Sequence, residues 1–234
     1  MHLSEVKNTA LLLFTRSAEE EAIAKDFSDV HAFHSNLLIA QNLISHSEKT
    51  ARDSGLPCFT ISSHLQTGNS FGEKLANAFA GIYQLGFENV IAIGNDCPTL
   101  THKDLHQAAF NLQNKDAVIG PAKDGGLYLI GLNRNFLITP LFENIPWGTR
   151  NVSTAFVQYL NTINANYTIS EKKSDLDHSS DILQVIQNKF LPFTFRNNIC
   201  AIFASIKSFK SAFSGNLIAS LFRKYTLFRG PPVV

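Results

Sequence analysis

The chain has 234 residues, 44% of them hydrophobic and 17% charged, proportions that fit a folded globular protein and exclude wholesale disorder. A formal net charge of +1 gives no general attraction to nucleic acid, so no nucleic-acid partner is expected. Three cysteines, Cys58, Cys97 and Cys200, stand far apart with no Cys-x-x-Cys pair, which argues against a disulfide framework and a zinc site and suits a reducing compartment.

The first apolar run, Thr9 to Thr15 (TALLLFT), shows no alternation, the pattern of a strand buried on both faces. His31 to Ser45 carries Phe33, Leu37, Leu38 and Ile44 at roughly helical spacing, and Pro57 to Ser62 reads as a second strand. Phe71 to Leu85 repeats Leu75, Ala78, Phe79, Ile82 and Leu85 every three or four residues, a helix closed by Gly86. Asn89 to Gly94 (NVIAIG) is the clearest strand, and Thr101 can cap a helix running through Asn111. Asp116 to Gly120 and Gly126 to Leu132 read as strands, Val152 to Ile163 as a helix, Tyr167 to Ser170 as a strand and Ser179 to Lys189 as a helix. Strands alternating with helices of this length predict an α/β fold with a mainly parallel sheet, whose ligands bind beyond the carboxyl ends of the strands.

Every acid lies at or before Asp181; beyond it come Lys189, Arg196, Lys207, Lys210, Arg223, Lys224 and Arg229. Pro192 and a run of phenylalanines mark the change, so residues 1–190 are expected to form the domain and 191–234 a basic, aromatic-rich helical extension. Ile202, Ile206, Phe209 and Phe213 share helical spacing, as do Leu217, Ile218, Leu221, Phe222 and Tyr225. Such a hairpin can pack on the acidic domain, form a homodimer contact or lie on an anionic membrane surface; the first two are favoured. The opening MHLSEVKNTA has no apolar signal core and no run of about 18 apolar residues occurs, so the expected location is cytoplasmic, with membrane-peripheral as the alternative.

Four stretches carry polar residues to expected strand ends. Pro98 in Gly94-Asn95-Asp96-Cys97-Pro98 forces a turn, leaving Asp96 either to hold Mg²⁺ or Mn²⁺ against a diphosphate or to cap the next helix. Asp124-Gly125-Gly126 is a hairpin signal whose glycines also let backbone approach a ligand closely. In Asp175-Leu176-Asp177 the two acids point the same way if extended, and Asp177 could supply a second carboxylate to the ion at Asp96; Asp181 suits the first turn of the following helix. Gln66 to Lys74 enters a helix through Gly68 and Gly72, which suits an anion or the edge of a nucleobase. Trp147, between Pro146 and Gly148, either shields a ligand or packs at the rim. His102 and His106 lack a third partner for a metal, and neither a nucleophile elbow nor a Walker loop is present.

Taken in order, QTGNSFGEKLANAF, GNDCPTL, DAVIGPAKDGGLYLIGL, IPWGT and DLDHSSDI resemble the DUF2064 family of glycosyltransferase-like proteins. The likeness runs from about Thr9 to Ile186 and is strongest from Gln66 to Gly148. It implies a Rossmann-like glycosyltransferase-A fold, that of the nucleotide-diphospho-sugar transferases, in three layers with the C-terminal helical extension added. It also implies a glycosyltransferase or nucleotidyltransferase that uses a divalent metal, Mg²⁺ or Mn²⁺, with a nucleotide or nucleotide sugar as ligand. By resemblance Asp96 and Asp177 are the metal ligands; Asp96, Asp124 and Asp177 form the catalytic set; and Gln66, Gly68 and Gly72 lie near the base or ribose. Gly125 and Gly126 face the acceptor, and Phe14, Arg16, Lys25 and Trp147 complete the ligand site.

The chain departs from the family's pattern at the loop after the first strand, where a glycine and several basic residues grip phosphate. Glu21 stands in the place of the glycine, Ala24 of a lysine and Asp26 of an arginine, leaving Phe14, Arg16 and Ile23; Lys123 and Leu127 also differ from the acid and aromatic usual there. Two like charges at about 4 Å repel by roughly 1 kcal/mol in water and by more where water is excluded. Two readings follow: a transferase, or a catalytically impaired paralogue kept as a binding module.

Overall fold

The computed structural model describes residues 8–27 and 33–205. In chain order its elements are β1 (Thr9–Phe14), α1 (Ala18–Ala24), α2 (Phe33–Asp53), β2 (Cys58–Ile61), α3 (Phe71–Gln84), β3 (Asn89–Ile93), α4 (His102–Asn111), β4 (Ala117–Pro121), β5 (Leu127–Asn133), α5 (Thr139–Glu143), α6 (Val152–Thr162), β6 (Tyr167–Ile169), α7 (Ser179–Gln187) and α8 (Phe193–Ser205). The strands form one six-stranded sheet in the order β2-β1-β3-β5-β4-β6. It is mostly parallel, as expected; β5 alone runs against both its neighbours, because the turn at Asp124-Gly125-Gly126 returns the chain as a hairpin.

Helices cover both faces, which explains why β1 and β3 read as unbroken apolar runs. Along β1, Ala10, Leu12 and Phe14 join a core with α3, α5 and α6, whereas Leu11 and Leu13 join the opposite core with α4 and the end of α2. Each full burial of a Leu contributes on the order of 2 kcal/mol. A third core lies outside the sheet: Ile39, Ala40 and Leu43 of α2 meet Ile182, Val185 and Ile186 of α7 and Phe195, Ile199 and Phe203 of α8. The first part of the expected extension thus packs on the domain; the rest of the expected helical hairpin lies outside the described residues. Among the described residues no helix is long and apolar enough to cross a membrane.

Strand order also locates a crevice. From β1 the chain winds to β2 on one side, and then returns through α3 to β3 on the other. The loops leaving β1 and β3 therefore part at their carboxyl ends, the place where open α/β sheets take ligands.

Candidate functional site

A cavity of about 550 Å³ opens at that crevice. Its wall includes Phe14, Arg16, Lys25, Gln66, Asp96, Asp124, Gly126, Trp147 and Asp177 from the residues expected on sequence, together with Glu21, Asp175 and Arg150. Gly68, Gly72 and Gly125 do not line it. They shape the surrounding backbone instead. A Cβ at Gly72 would stand 2.7 Å from the Trp147 indole, and one at Gly125, which has φ +101°, would stand 2.0 Å from the Arg150 carbonyl oxygen.

Three segments bring acids to the rim. Asp96 leaves β3, where Asn95 accepts a hydrogen bond from the Thr15 hydroxyl at 3.0 Å and ties the loop to the end of β1. Asp124 sits in the β4–β5 turn and accepts from the Gly126 N–H at 2.7 Å. Asp175 and Asp177 lie on an extended segment beyond β6 that runs beside Pro121 and Ala122. There Leu176 is buried in the third core, so the acids on either side of it turn toward the cavity, and its N–H donates to the Asp96 carbonyl at 2.8 Å. The Asp181 carboxylate at the start of α7 accepts from the backbone N–H groups of Asp177 and His178, fixing the segment from the other side.

Carboxylate oxygens of Asp124, Asp175 and Asp177 all lie within 4.8 Å of one another. Crowding of this kind disfavours ionisation: Asp175 is pushed up to about 7 by burial and by Asp124, Asp177 and Asp96. An all-oxygen trio suits a hard divalent cation, which would relieve that repulsion. Asp175 was absent from the sites expected on sequence, although its spacing of two from Asp177 is the signal that places both on one side of an extended chain.

Asp96 faces a different partner. The Lys25 ammonium lies 3.2 Å from Asp96 Oδ2, 2.7 Å from Asp177 Oδ1 and 3.0 Å from Glu21 Oε1. Burial lowers its pKa, but Asp96, Glu21 and Asp177 outweigh that and hold the group charged, above its ordinary value. Glu21, buried on α1, also receives Arg16 Nη1 at 3.2 Å. Where the family pattern has the glycine of a phosphate loop, the chain has a seven-residue helix capped by Ser17, with Glu21 held between two cations.

Other candidates on the cavity wall also make structural hydrogen bonds. Gln66 Nε2 donates to the carbonyls of Thr15 (2.9 Å) and Ile61 (3.3 Å), tying β1 to β2. Trp147 Nε1 donates to the Phe142 carbonyl, and its ring stands 5.4 Å from Phe71 at the cavity wall, so it both packs and lines. Burial pushes the Cys97 thiol up to about 12, which favours its protonated form. Asn95 Nδ2 is buried with no hydrogen-bond partner among the described residues.

The family model described as "Uncharacterized protein conserved in bacteria (DUF2064)" matches residues 29–149, just over half of the chain. Among curated proteins no sequence matches. A protein of Desulfovibrio desulfuricans G20, provisionally named a nucleotide-diphospho-sugar transferase, has a crystal structure that superposes with TM-score 0.72 at 19% identity, over 94% of this chain and 98% of that one. Two further structures are more distant. The 4-diphosphocytidyl-2C-methyl-D-erythritol synthase of Anaerococcus prevotii gives TM-score 0.47 at 8% identity, over 78% and 97% of the two chains. A CMP:2-keto-3-deoxy-manno-octonic acid synthetase with CTP gives 0.44 at 8%, over 76% and 96%. What the first likeness establishes is the fold, that of the nucleotide-diphospho-sugar transferases.

Proposed function

The chain belongs to the DUF2064 family, and from that premise we propose that it is a divalent-metal-dependent transferase, glycosyl- or nucleotidyl-, acting on a nucleotide sugar or nucleoside triphosphate. The observation that carries this reading is the convergence of Asp96, Asp124, Asp175 and Asp177, from three separate loops, on one cavity at the carboxyl ends of β3 and β4.

In this reading Asp177 holds the cation, Mg²⁺ or Mn²⁺, together with Asp124 and Asp175, and Asp96 flanks them across Lys25. When bound, the ion supplies charge neutralisation on a diphosphate leaving group. The protein's own part is positional. Leu176 and Asp181 fix the two acids, the Gly125 turn sets Asp124, and Phe14, Phe71 and Trp147 offer an aromatic wall for the apolar side of the ligand. Arg16, whose side chain is 53% exposed, is placed to meet phosphate oxygens as well as Glu21. The name of the Desulfovibrio structure supports the same substrate class.

Thermal-shift measurements against nucleoside triphosphates and nucleotide sugars, with and without Mn²⁺, test the proposal. A metal-dependent stabilisation that disappears in Asp177→Asn is the expected result. A second reading, a binding module without transferase chemistry, is favoured by one observation, the engagement of Arg16 and Lys25 by Glu21. No shift with any nucleotide, from protein that remains folded, would select it.

A further inference from the structure

We propose that Lys25 is a tethered cation that fills the position between Asp96 and Asp177, so that the site takes one divalent ion, on the Asp124 side of Asp177, and Asp96 is not among its ligands. This rests on the metal-dependent reading above and specifies which carboxylates serve it.

A lysine ammonium has three N–H donors and no more. Here three carboxylate oxygens, from Glu21, Asp96 and Asp177, lie within 3.2 Å of Nζ and the Leu176 carbonyl oxygen lies 3.5 Å away, four acceptors for three donors. Nothing is left to grip a phosphate, so this lysine does not do what the basic residues of a phosphate loop do. Its stem is held as firmly as its head: the side chain is 12% exposed and Glu21 lies one helical turn before it on α1. Glu21 in turn is kept in place by Arg16.

A divalent ion binding Asp96 and Asp177 together would sit about 2.1 Å from their oxygens, which is the volume that Nζ fills, and would meet its positive charge there. The two cations exclude each other. Across Asp177, however, the Asp124, Asp175 and Asp177 oxygens are already gathered, and Lys25 bridges neither Asp124 nor Asp175. One carboxylate therefore serves two cations, one covalently attached and one exchangeable. The rewritten loop then has a physical rationale. Glu21 is the counter-charge that seats Lys25, and a glycine in its place could not hold the ammonium against Asp96.

Counting bound Mn²⁺ by electron paramagnetic resonance, in titrations of the full chain, tests this without any assay of activity. One ion per chain is expected for the wild type, and two for Lys25→Met, which keeps the stem and removes the charge. In the wild-type background Asp124→Asn should weaken the ion at least about tenfold by removing a ligand charge, whereas Asp96→Asn should leave its affinity within about threefold. Two ions on the wild type, one ion on Lys25→Met at unchanged affinity, or an Asp96→Asn loss as large as that of Asp124→Asn would each overturn the proposal. Should Lys25→Met fail to fold with Glu21 partly unpaired, the double variant Lys25→Met/Glu21→Gln is neutral at both positions, and the Asp96→Asn arm decides independently. No ion on the wild type with one on Lys25→Met would refute the metal-dependent transferase and the one-ion site together, leaving only the exclusion of a cation by Lys25. No ion on either would refute both.

Discussion

In the metal-free protein, replacing Asp175 by Asn is expected to raise stability at pH 8 and to leave it nearly unchanged at pH 4. Burial and the neighbouring Asp124, Asp177 and Asp96 lift this carboxyl from an ordinary 3.8 to about 7. Between those two values the folded chain retains a proton that the unfolded chain has released. Stability must therefore fall as pH climbs through the window and level off above it. A shift of that size would be worth roughly 4 kcal/mol for a fully buried group. Asp175 is only half-buried, and solvent screening brings the expected penalty down to about 1–2 kcal/mol.

For a chain of this size that corresponds to roughly 2–8 °C in Tm. Scanning calorimetry of wild type and Asp175→Asn across pH 4–8, in chelator, would show two curves that meet in acid and separate toward neutrality. Saturating Mn²⁺ should reverse their order, because the ion stabilises the chain that binds it better. A Tm difference that stays constant with pH, or an Asn variant less stable than wild type at pH 8 without metal, would refute the reasoning.

Gly125→Ala should cost at least about 2 kcal/mol in urea denaturation, since its φ is positive and its Cβ would fall 2.0 Å from the Arg150 carbonyl oxygen; Gly126→Ala, with only the Asp124 side chain 3.1 Å away, should cost clearly less. His46 Nε2 donates to the Pro98 carbonyl at 2.9 Å and its ring stacks on Phe195, and burial, aided by Lys49, holds its pKa below the ordinary 6.5. Its contribution is present above about pH 6.5 and lost in acid, so His46→Phe should flatten the fall in Tm between pH 6.5 and 5. Phe203→Ala in α8 should destabilise the whole chain by about 3–5 kcal/mol in one cooperative transition, because Phe203 is fully buried against the domain; an unchanged main transition would make α8 an independent appendage.

Much of this fold is legible in the sequence where burial is symmetric. Ala10 to Phe14 and Val90 to Ile93 are apolar throughout because cores lie on both sides of them, and the Asp-Gly-Gly turn announces the one antiparallel strand, β5. The second half of α2 was hidden, since His46 to Asp53 is mostly polar and its buried residues, Ser47, Thr50 and Ala51, are small. Within the site, period two makes Asp175 and Asp177 legible as a pair once Leu176 is recognised as buried. Gly68 and Gly72 lie off the cavity wall, and glycine marks any close approach of backbone: here what approaches is Glu73 in one case and Trp147 in the other. Glu21 was read as a charge that would repel phosphate. Its four-residue spacing from Lys25 was visible, but nothing in a one-dimensional pattern shows that α1 turns both side chains inward toward Asp96.

That inward turn bears on which nucleotide suits the cavity. Its charged wall carries Glu21, Asp96, Asp124, Asp175 and Asp177 against Arg16, Lys25 and Arg150. Lys25 is engaged, and one divalent ion brings the wall close to neutral, so Arg16 and Arg150 are left to meet the ligand's phosphates. Two guanidiniums can each pair with one phosphate of a diphosphate, whereas a triphosphate adds a further anionic group, with no guanidinium of its own, facing Glu21 and Asp96. At the separations involved each unmatched contact costs about 1 kcal/mol or more. Under the transferase reading, a nucleotide sugar should therefore bind at least about fivefold more tightly than the triphosphate of the same base in calorimetric titrations with Mn²⁺. Raising the salt concentration should narrow that gap, because screening weakens repulsion between partly exposed charges. Equal or tighter binding of the triphosphate would show that Lys25 leaves its carboxylates to take the phosphate, and would count against the tethered cation as well.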